Sequence, residues 1–546
     1  MKKIAWVLFS VFCILVIMAT GCGGGTTTTT TTSAAPTTSQ ATTSQPTSTS
    51  PTTTPAATVH YGGTFVLLSD VTISNLNPPA DAGTLLTRSL LPCLEPLLRL
   101  DENGQLAGWL AKSWDVAPDG TSITFHLNQG IKFHDGTPFN AAAVKYNLEA
   151  TAASGLFGVA ALSMVKSYDI IDDYTIRANM DQYNYNLMTT LAGLGGLMAS
   201  PTALQKETTP DNISQLHMVG TGPFVFDSFV PDDHVKYTKN PNYWQQGKPY
   251  LDAVVIRHIE DRTVAVMALQ AGEVDELATG LQVATENMLK QQGYDVHQYP
   301  LQFQHAMVWD SANPNSPFSD LRVREAIQYG VDKQTLVNGI GGGAARGFFP
   351  LYQMALPGDA WYCPELQPRL YDLNKAKQLL ADAGYPNGFK VTLISDTFAE
   401  MNFLEALQTE LIKMGLDVTL DIADMGRITS LEMGGWDGLL HPGFPTFDSI
   451  AGLNSRWGNP GMFVSMYTPD GWYDKWAAAM AEPDENARVE MVKELVRLDY
   501  NECLTFSWRA DAPFGISNGH VHNFQLHAGG SMDIWWPEQV WKDPTE

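Results

Sequence analysis

The chain has 546 residues, 44% of them hydrophobic, with five cysteines and a formal net charge of −25. So acidic a surface excludes nucleic acid as a partner, because phosphate binding needs a basic patch. Five cysteines are too few for a disulfide-stapled scaffold, so a hydrophobic core must hold the fold.

Lys2 and Lys3 precede an apolar run from Ile4 to Met18, too short to span a bilayer and the size of a signal-peptide core. Residues 1–21 are therefore read as an export signal. The stretch Ala19-Thr20-Gly21-Cys22 resembles the lipobox of bacterial lipoproteins, although leucine is commoner where Ala19 stands. That resemblance implies that Cys22 is lipidated and becomes the mature N-terminus, anchoring the protein on the extracytoplasmic side of the cell membrane. Residues 22–60 form a tether: from Gly23 to about His60 the chain is dominated by Thr, Ser and Pro without one Asp, Glu, Lys or Arg. Such a segment has too little apolar surface to offset the entropy of ordering itself. It spans roughly 35 Å as a coil and roughly 110 Å when extended. Cys13 leaves with the signal, and Cys93, Cys363 and Cys503 allow at most one disulfide, its pairing open.

The body of roughly 485 residues exceeds what one core usually supports, so two or more lobes are expected. Strands are predicted at Gly62 to Ser69, Thr121 to Leu127, His234 to Lys239, Ala253 to Ile259 and Phe389 to Ser395, all rich in β-branched and aromatic residues. In TSITFHLNQGIKFHDGTPFNAAAV, Asn128-Gln129-Gly130 predicts a hairpin, Asp135-Gly136 a turn, and Asn140 a helix N-cap. His134 and Asp135 are adjacent on extended chain and point to opposite faces, so they are a poor catalytic relay. Helices are predicted from Arg262 to Ala271, from Asn374 to Ala383 with Asn374 as N-cap, and from Phe403 to Met414, followed by Gly272, Gly384 and Gly415. The class is α/β.

LAKSWDVAPDGTSITFHLNQGIKFHDGTPFNAAAVKYNLEA (Leu110 to Ala150) resembles the signature block of solute-binding protein family 5, the extracytoplasmic receptors of ABC importers for peptides, nickel and some oligosaccharides. Blocks at Val219 to Ile259, Ala268 to Leu277, Phe318 to Leu336 and Tyr371 to Phe389 follow in the family's order. Asn128 stands where the family usually has arginine, and Ala143 where it has an acid. The resemblance implies a two-lobed, periplasmic-binding-protein-like clamshell with mixed sheets and inter-lobe hinge strands. Lobe one would take residues 61–302 and 509–546, and lobe two residues 303–508. It further implies a monomeric binding protein with no enzymatic activity and no cofactor. The protein would capture a peptide-like solute in the cleft and deliver it to the transmembrane subunits of an ABC permease. An oligosaccharide or other non-peptide ligand, a metal chelate, and a sensing role are the alternatives.

In peptide-binding members the segment corresponding to HPGFPTFDSIAGLNSRW (His441 to Trp457) carries an aspartate that holds the ligand's amino group. Here the segment is shorter and only Asp448 can take that place, and a buried ammonium without a carboxylate would be costly. His441 and Phe444 in this segment, Trp361, Tyr362, Trp457 and Trp508 as aromatic surfaces, and Asn75 after the first strand complete the candidate ligand site. Each aromatic has core packing as its competing explanation.

GISNG (Gly515 to Gly519) mimics a nucleophile elbow, but no acid and histidine follow in the required order. GIGGGA (Gly339 to Ala344) follows a helical stretch rather than the strand a dinucleotide fingerprint needs. His520, His522 and His527 offer imidazoles without a third ligand on a shared face, so no metal site is expected.

Overall fold

The computed structural model describes residues 59–544, except 70–75, 77–86, 102–103, 155–156, 207–216, 279–280, 282, 300–302, 340–342, 344–346, 397–400, 443–445, 448, 513 and 527–533. The export signal, Cys22 and most of the tether therefore lie outside the described residues.

The first strand, β1 (Thr64–Ser69), is the apolar run TFVLLS. A run apolar on both faces suits the middle of a parallel sheet. A four-stranded antiparallel sheet follows, from β2 (Ala111–Val116), β3 (Ser122–Leu127), β4 (Val165–Asp172) and β5 (Thr175–Met180), in the order β2-β3-β5-β4. Along β3 the residues alternate between buried and half-buried, the period-two pattern of a strand with one face on a core.

The predicted hairpin after β3 does not form, because both edges of β3 are already taken by β2 and β5. Ile131, Phe133 and Phe139 instead turn into the core, closed by bonds from Phe133 N to the Thr137 carbonyl (2.9 Å) and Phe139 N to the Ile131 carbonyl (3.0 Å). His134 and Asp135 have separate partners. The histidine's Nε2 reaches the Gly222 carbonyl at 2.9 Å, and the aspartate accepts from Ser200 Oγ at 2.6 Å and Thr137 Oγ1 at 2.6 Å. Asn140 caps the helix α1 (Ala141–Ala153) by accepting from Ala143 N at 3.0 Å.

The strands β6 (Phe224–Val230), β7 (His234–Lys239), β8 (Ala253–His258), β9 (Glu276–Leu277) and β10 (Asp295–Gln298) build the first large sheet around β1. Between β8 and β9 lies helix α2 (Arg262–Gln270), capped by Asp261, with Gly272 beyond it at φ +73°. The second large sheet begins with β11 (Phe303–Trp309) and takes in β12 (Phe348–Pro350), β13 (Lys390–Asp396), β14 (Asp417–Ala423), β15 (Leu439–Leu440), β16 (Thr446–Phe447) and β17 (Thr505–Asp511). The last strand needed here, β18 (Phe514–Ser517), returns to the first sheet. The spatial orders are β6-β7-β8-β1-β9-β18-β10 and β12-β17-β11-β15-β13-β14, with β16 paired to β11.

Two of the predicted helices contribute to the core of the second sheet. In α3 (Leu373–Asp382) the cap is Asp372, whose carboxylate accepts from Lys375 N at 2.9 Å, and not the predicted Asn374, which lies inside the first turn. In α4 (Met401–Lys413) Phe403 lays its ring on Trp508 of β17 with centroids 3.7 Å apart and planes 6° from parallel.

The chain passes from the first sheet to the second between Gln298 and Phe303, and returns between Asp511 and Phe514. The ends of the two passages are paired, Gln298 with Phe514 on one side and Phe303 with Asp511 on the other. At the return, Gly515 is enclosed by the ends of three side chains, which would have to shift to admit a larger residue. A Cβ there would lie 2.4 Å from each of Glu276 Oε1, His297 Nε2 and Tyr299 Oη. Away from these passages the two halves also touch. Arg488, on the long helix α5 (Glu485–Glu502) that leads into β17, lies buried with its guanidinium 3.8 Å above the ring of Tyr185.

Candidate ligand site

Ligands of open α/β sheets sit beyond the carboxyl ends of the parallel strands, where strand order reverses. In the second sheet those ends are Asp396 on β13 and Leu440 on β15, which run parallel to each other while β15 runs antiparallel to β11. His441 is the first residue past β15, and its backbone N donates to the Ile394 carbonyl at 2.8 Å. Its Nδ1 lies 3.0 Å from Ser395 Oγ. Burial, then the neighbouring His305, Arg509 and Arg456, push the imidazole down to about 3, so it is neutral at physiological pH. Its ring is parallel to that of His305, with centroids 6.4 Å apart and planes 6° from parallel.

Across the ladder from β11 to β17, His305 stands opposite Arg509, and Phe303 opposite Asp511. His305 Nε2 lies 2.8 Å and Arg509 Nη2 3.0 Å from Asp511 Oδ2. Arg509 Nε adds an ion-pair contact of 2.7 Å to Oδ1 that is not angled as a hydrogen bond. Burial alone would raise the Asp511 carboxyl, yet the charges and hydrogen bonds of His305 and Arg509 hold it below the usual carboxylate range. Both donors converge on Oδ2, so the 3.2 Å approach of Arg509 Nη2 to His305 Nε2 is a meeting of two N–H groups at one acceptor. His305 therefore carries its proton on Nε2.

The segment His441 to Trp457 lies against this cluster through β16, where Phe447 pairs with Phe303 and Thr446 with Gln304. Of the sequence candidates, Asn75, Phe444 and Asp448 lie outside the described residues. His441 and Trp508 belong to one cluster, with ring centroids 6.4 Å apart, although Trp508 spends one face on Phe403. Trp457 is buried against Phe463 at 5.1 Å, and its carbonyl accepts from Trp472 Nε1 at 2.6 Å. Trp361 and Tyr362 are half-buried in a separate loop, where Trp361 Nε1 is buried without a hydrogen bond. In the first sheet, Ser69 ends β1 as a buried residue, and Arg88 beyond the next segment donates from Nη1 to the Ala278 carbonyl at 3.4 Å.

Sequence reasoning missed His305, Ser395, Arg509 and Asp511. One signal for the last two was available. In the apolar run from Phe506 to Phe514, Arg509 and Asp511 are two charges spaced to share one face of a strand. Among the described residues no group of three or more His, Cys, Asp or Glu could hold a metal ion. His520 and His522 instead face Asp543, at 3.9 and 3.1 Å, and Cys93, Cys363 and Cys503 are buried free thiols.

The sequence pattern described as bacterial extracellular solute-binding proteins, family 5 middle, matches residues 105–478. The chain is 32% identical over 355 residues to the glutathione-binding protein GsiB of Shigella flexneri, an overlap of 64% of this chain and 67% of that one. Its fold superposes on the unliganded open form of the periplasmic murein tripeptide binding protein MppA with a TM-score of 0.77, at 18% identity, over 89% of this chain and 99% of that one. The periplasmic binding protein DppA of Helicobacter pylori, solved with the peptide STSA, superposes with a TM-score of 0.67 at 21% identity, again over 89% and 99%. The protein is thus a two-lobed α/β binding protein, a member of family 5 of the bacterial extracellular solute-binding proteins that serve ABC importers.

Proposed function

We propose that the protein takes a peptide-like solute between its lobes, releases it chemically unchanged to the transmembrane subunits of an ABC permease, and works as a monomer held to the membrane by lipid on Cys22. Lobe one comprises residues 61–302 and the return from about 509, and lobe two the segment between. The observation that carries this reading is the pair of adjacent passages between the sheets, with the polar cluster of His305, His441, Arg509 and Asp511 immediately beside them. Two neighbouring strands form a hinge, and a solute touching both sides of it favours the closed state. A protein solved with a peptide and one named for glutathione support the solute class.

Titration calorimetry with glutathione and tri-alanine, paired with X-ray scattering of the chain lacking its first 21 residues, tests the reading. Binding should be accompanied by a smaller radius of gyration. Hydrolysis of the bound peptide, or no binding by either compound, would overturn it. The anchor has its own test. Replacing Cys22→Ser should move the exported protein from the detergent phase to the aqueous phase on partitioning, and an unchanged distribution would remove the lipid from the proposal.

A further inference from the structure

Glu276, His297 and Tyr299 meet where the chain leaves the first sheet. His297 stands on β10 one residue before Gln298, and it pairs across the ladder with Gly515 of the returning strand β18. Its Nδ1 lies 3.1 Å from Asp295 Oδ2, and its Nε2 lies 3.3 Å from Glu276 Oε1 on β9. A carboxylate only accepts, so each contact needs a proton on the nitrogen that faces it, and only the imidazolium has both. The same Glu276 oxygen accepts from Tyr299 Oη at 2.7 Å, and Tyr299 opens the outgoing passage. The ends of these three side chains close on Gly515, so one carboxylate oxygen gathers the outgoing passage and abuts the return.

The two acids are unequal. The Glu276 side chain is 2% exposed and that of Asp295 60%, and an exposed pair contributes little. The helix Val283–Gln291 packs through Leu289 on the side of Val296, and successive strand residues point to opposite faces, so its Glu286 and Lys290 lie across the sheet from His297. On the face of His297 the described neighbours are Tyr299, its ring 5.1 Å away, and Phe524 behind that. The C-terminal segment spends its charges elsewhere, Lys542 on Asp275 at 2.7 Å and Asp543 on His522 at 3.1 Å. Burial lowers the His297 imidazole, but Glu276, followed by Asp295, more than offsets it and holds the ring above its ordinary 6.5. The stabilisation is therefore complete below about 6.5 and is lost as pH rises through the raised value.

We propose that His297 is a proton-dependent clasp at the root of the hinge. Protonated, it holds Glu276 and Asp295 together and keeps the last two rungs, His297 with Gly515 and Gln298 with Phe514, closed; unprotonated, it releases one carboxylate and lets those rungs open, which lengthens the hinge. The inference rests on the hinge given above, and it makes the joint between the lobes the pH-responsive part.

Hydrogen exchange of the solute-free chain lacking its first 21 residues, followed from about pH 5.5 to about pH 8 and normalised for the intrinsic exchange rate, tests it. Protection of residues 295–298 and 514–517 should fall roughly tenfold over that range, the scale of one hydrogen bond to a charged group, while β13 and β14 keep theirs. In His297→Gln, which is neutral throughout, protection should not depend on pH. Asp295→Asn, at an exposed position, serves even if His297→Gln fails to fold: there the fall should move to lower pH. Constant protection in the parent, a fall of the same size in His297→Gln, or an unmoved midpoint in Asp295→Asn would overturn the inference alone. Absence of compaction on solute binding in scattering would instead overturn the hinge beneath it.

Discussion

Glu95 shows how a buried carboxylate is kept in a core. It accepts from Tyr243 Oη at 2.7 Å, Thr221 Oγ1 at 2.8 Å, Trp109 Nε1 at 3.0 Å and Trp244 Nε1 at 3.0 Å. Burial pushes it up to about 7 from an ordinary 4.5, and these donors keep it from rising further. The folded state thus binds this proton more tightly than the unfolded chain, so the associated stability is complete below about 4.5 and is lost as pH rises through 7. Replacing Glu95→Gln removes the titration. The stability of the parent relative to this variant should therefore fall between about pH 5 and about pH 8 in urea unfolding, and a difference that grew with pH would contradict the assignment. At this scale a polar residue's role was legible only where its partner is close in sequence. Asp135 and Thr137 form a local turn that Asp-Gly already announces. Glu95, by contrast, meets Trp244 across 149 positions, which no spacing rule foretells.

Among the elements, helix ends were read well because their signals are local, and the one displaced cap is instructive. Asn374 and Asp372 are both good capping residues two positions apart, and the structure uses the aspartate. A charged acceptor at the positive end of a helix explains that choice. Asp372→Ala should lower stability by about 1 kcal/mol, whereas Asn374→Ala should change it by a few tenths at most; the reverse ranking in urea unfolding would restore the original cap. Strand positions were equally legible from β-branched and aromatic runs, but strand partners were not. The hairpin expected at Asn128 fails because β5, some fifty residues on, takes the edge the hairpin would need. The polar cluster of the site escaped for the same reason, since His305 and Asp511 are 206 positions apart and meet only through the pairing of β11 with β17.

For the whole molecule, the two-lobed architecture was visible in five collinear sequence blocks, while the candidate ligand site was legible in the sequence only in part. His441 stood out because it opens a segment that departs from the peptide-binding pattern. The aromatic candidates did not separate from core aromatics, since Trp457 and Trp508 have the same composition and neighbours as packing residues. The two halves are joined by more than the hinge. Arg488 covers Tyr185 at 3.8 Å, and burial, moderated by the guanidinium's charge, raises the phenols of Tyr183 and Tyr185. A buried cation over an aromatic face contributes roughly 1–2 kcal/mol, and it is available only when the halves are together. Arg488→Ala should accordingly weaken solute affinity several-fold and enlarge the unliganded protein in scattering, through the shift toward open forms. Unchanged affinity and dimensions would mean that this contact has no part in closure.

The pairing of Gln298 with Phe514 in the first sheet, and of Phe303 with Asp511 in the second, makes the segment between them a cassette whose entry and exit are paired with each other on both sides. A segment from a relative, spliced in at those four positions, would meet the same register and leave the strands of the recipient unbroken. Selectivity could then be transplanted as a unit, and such hybrids should take the preference of whichever donor supplied the insert.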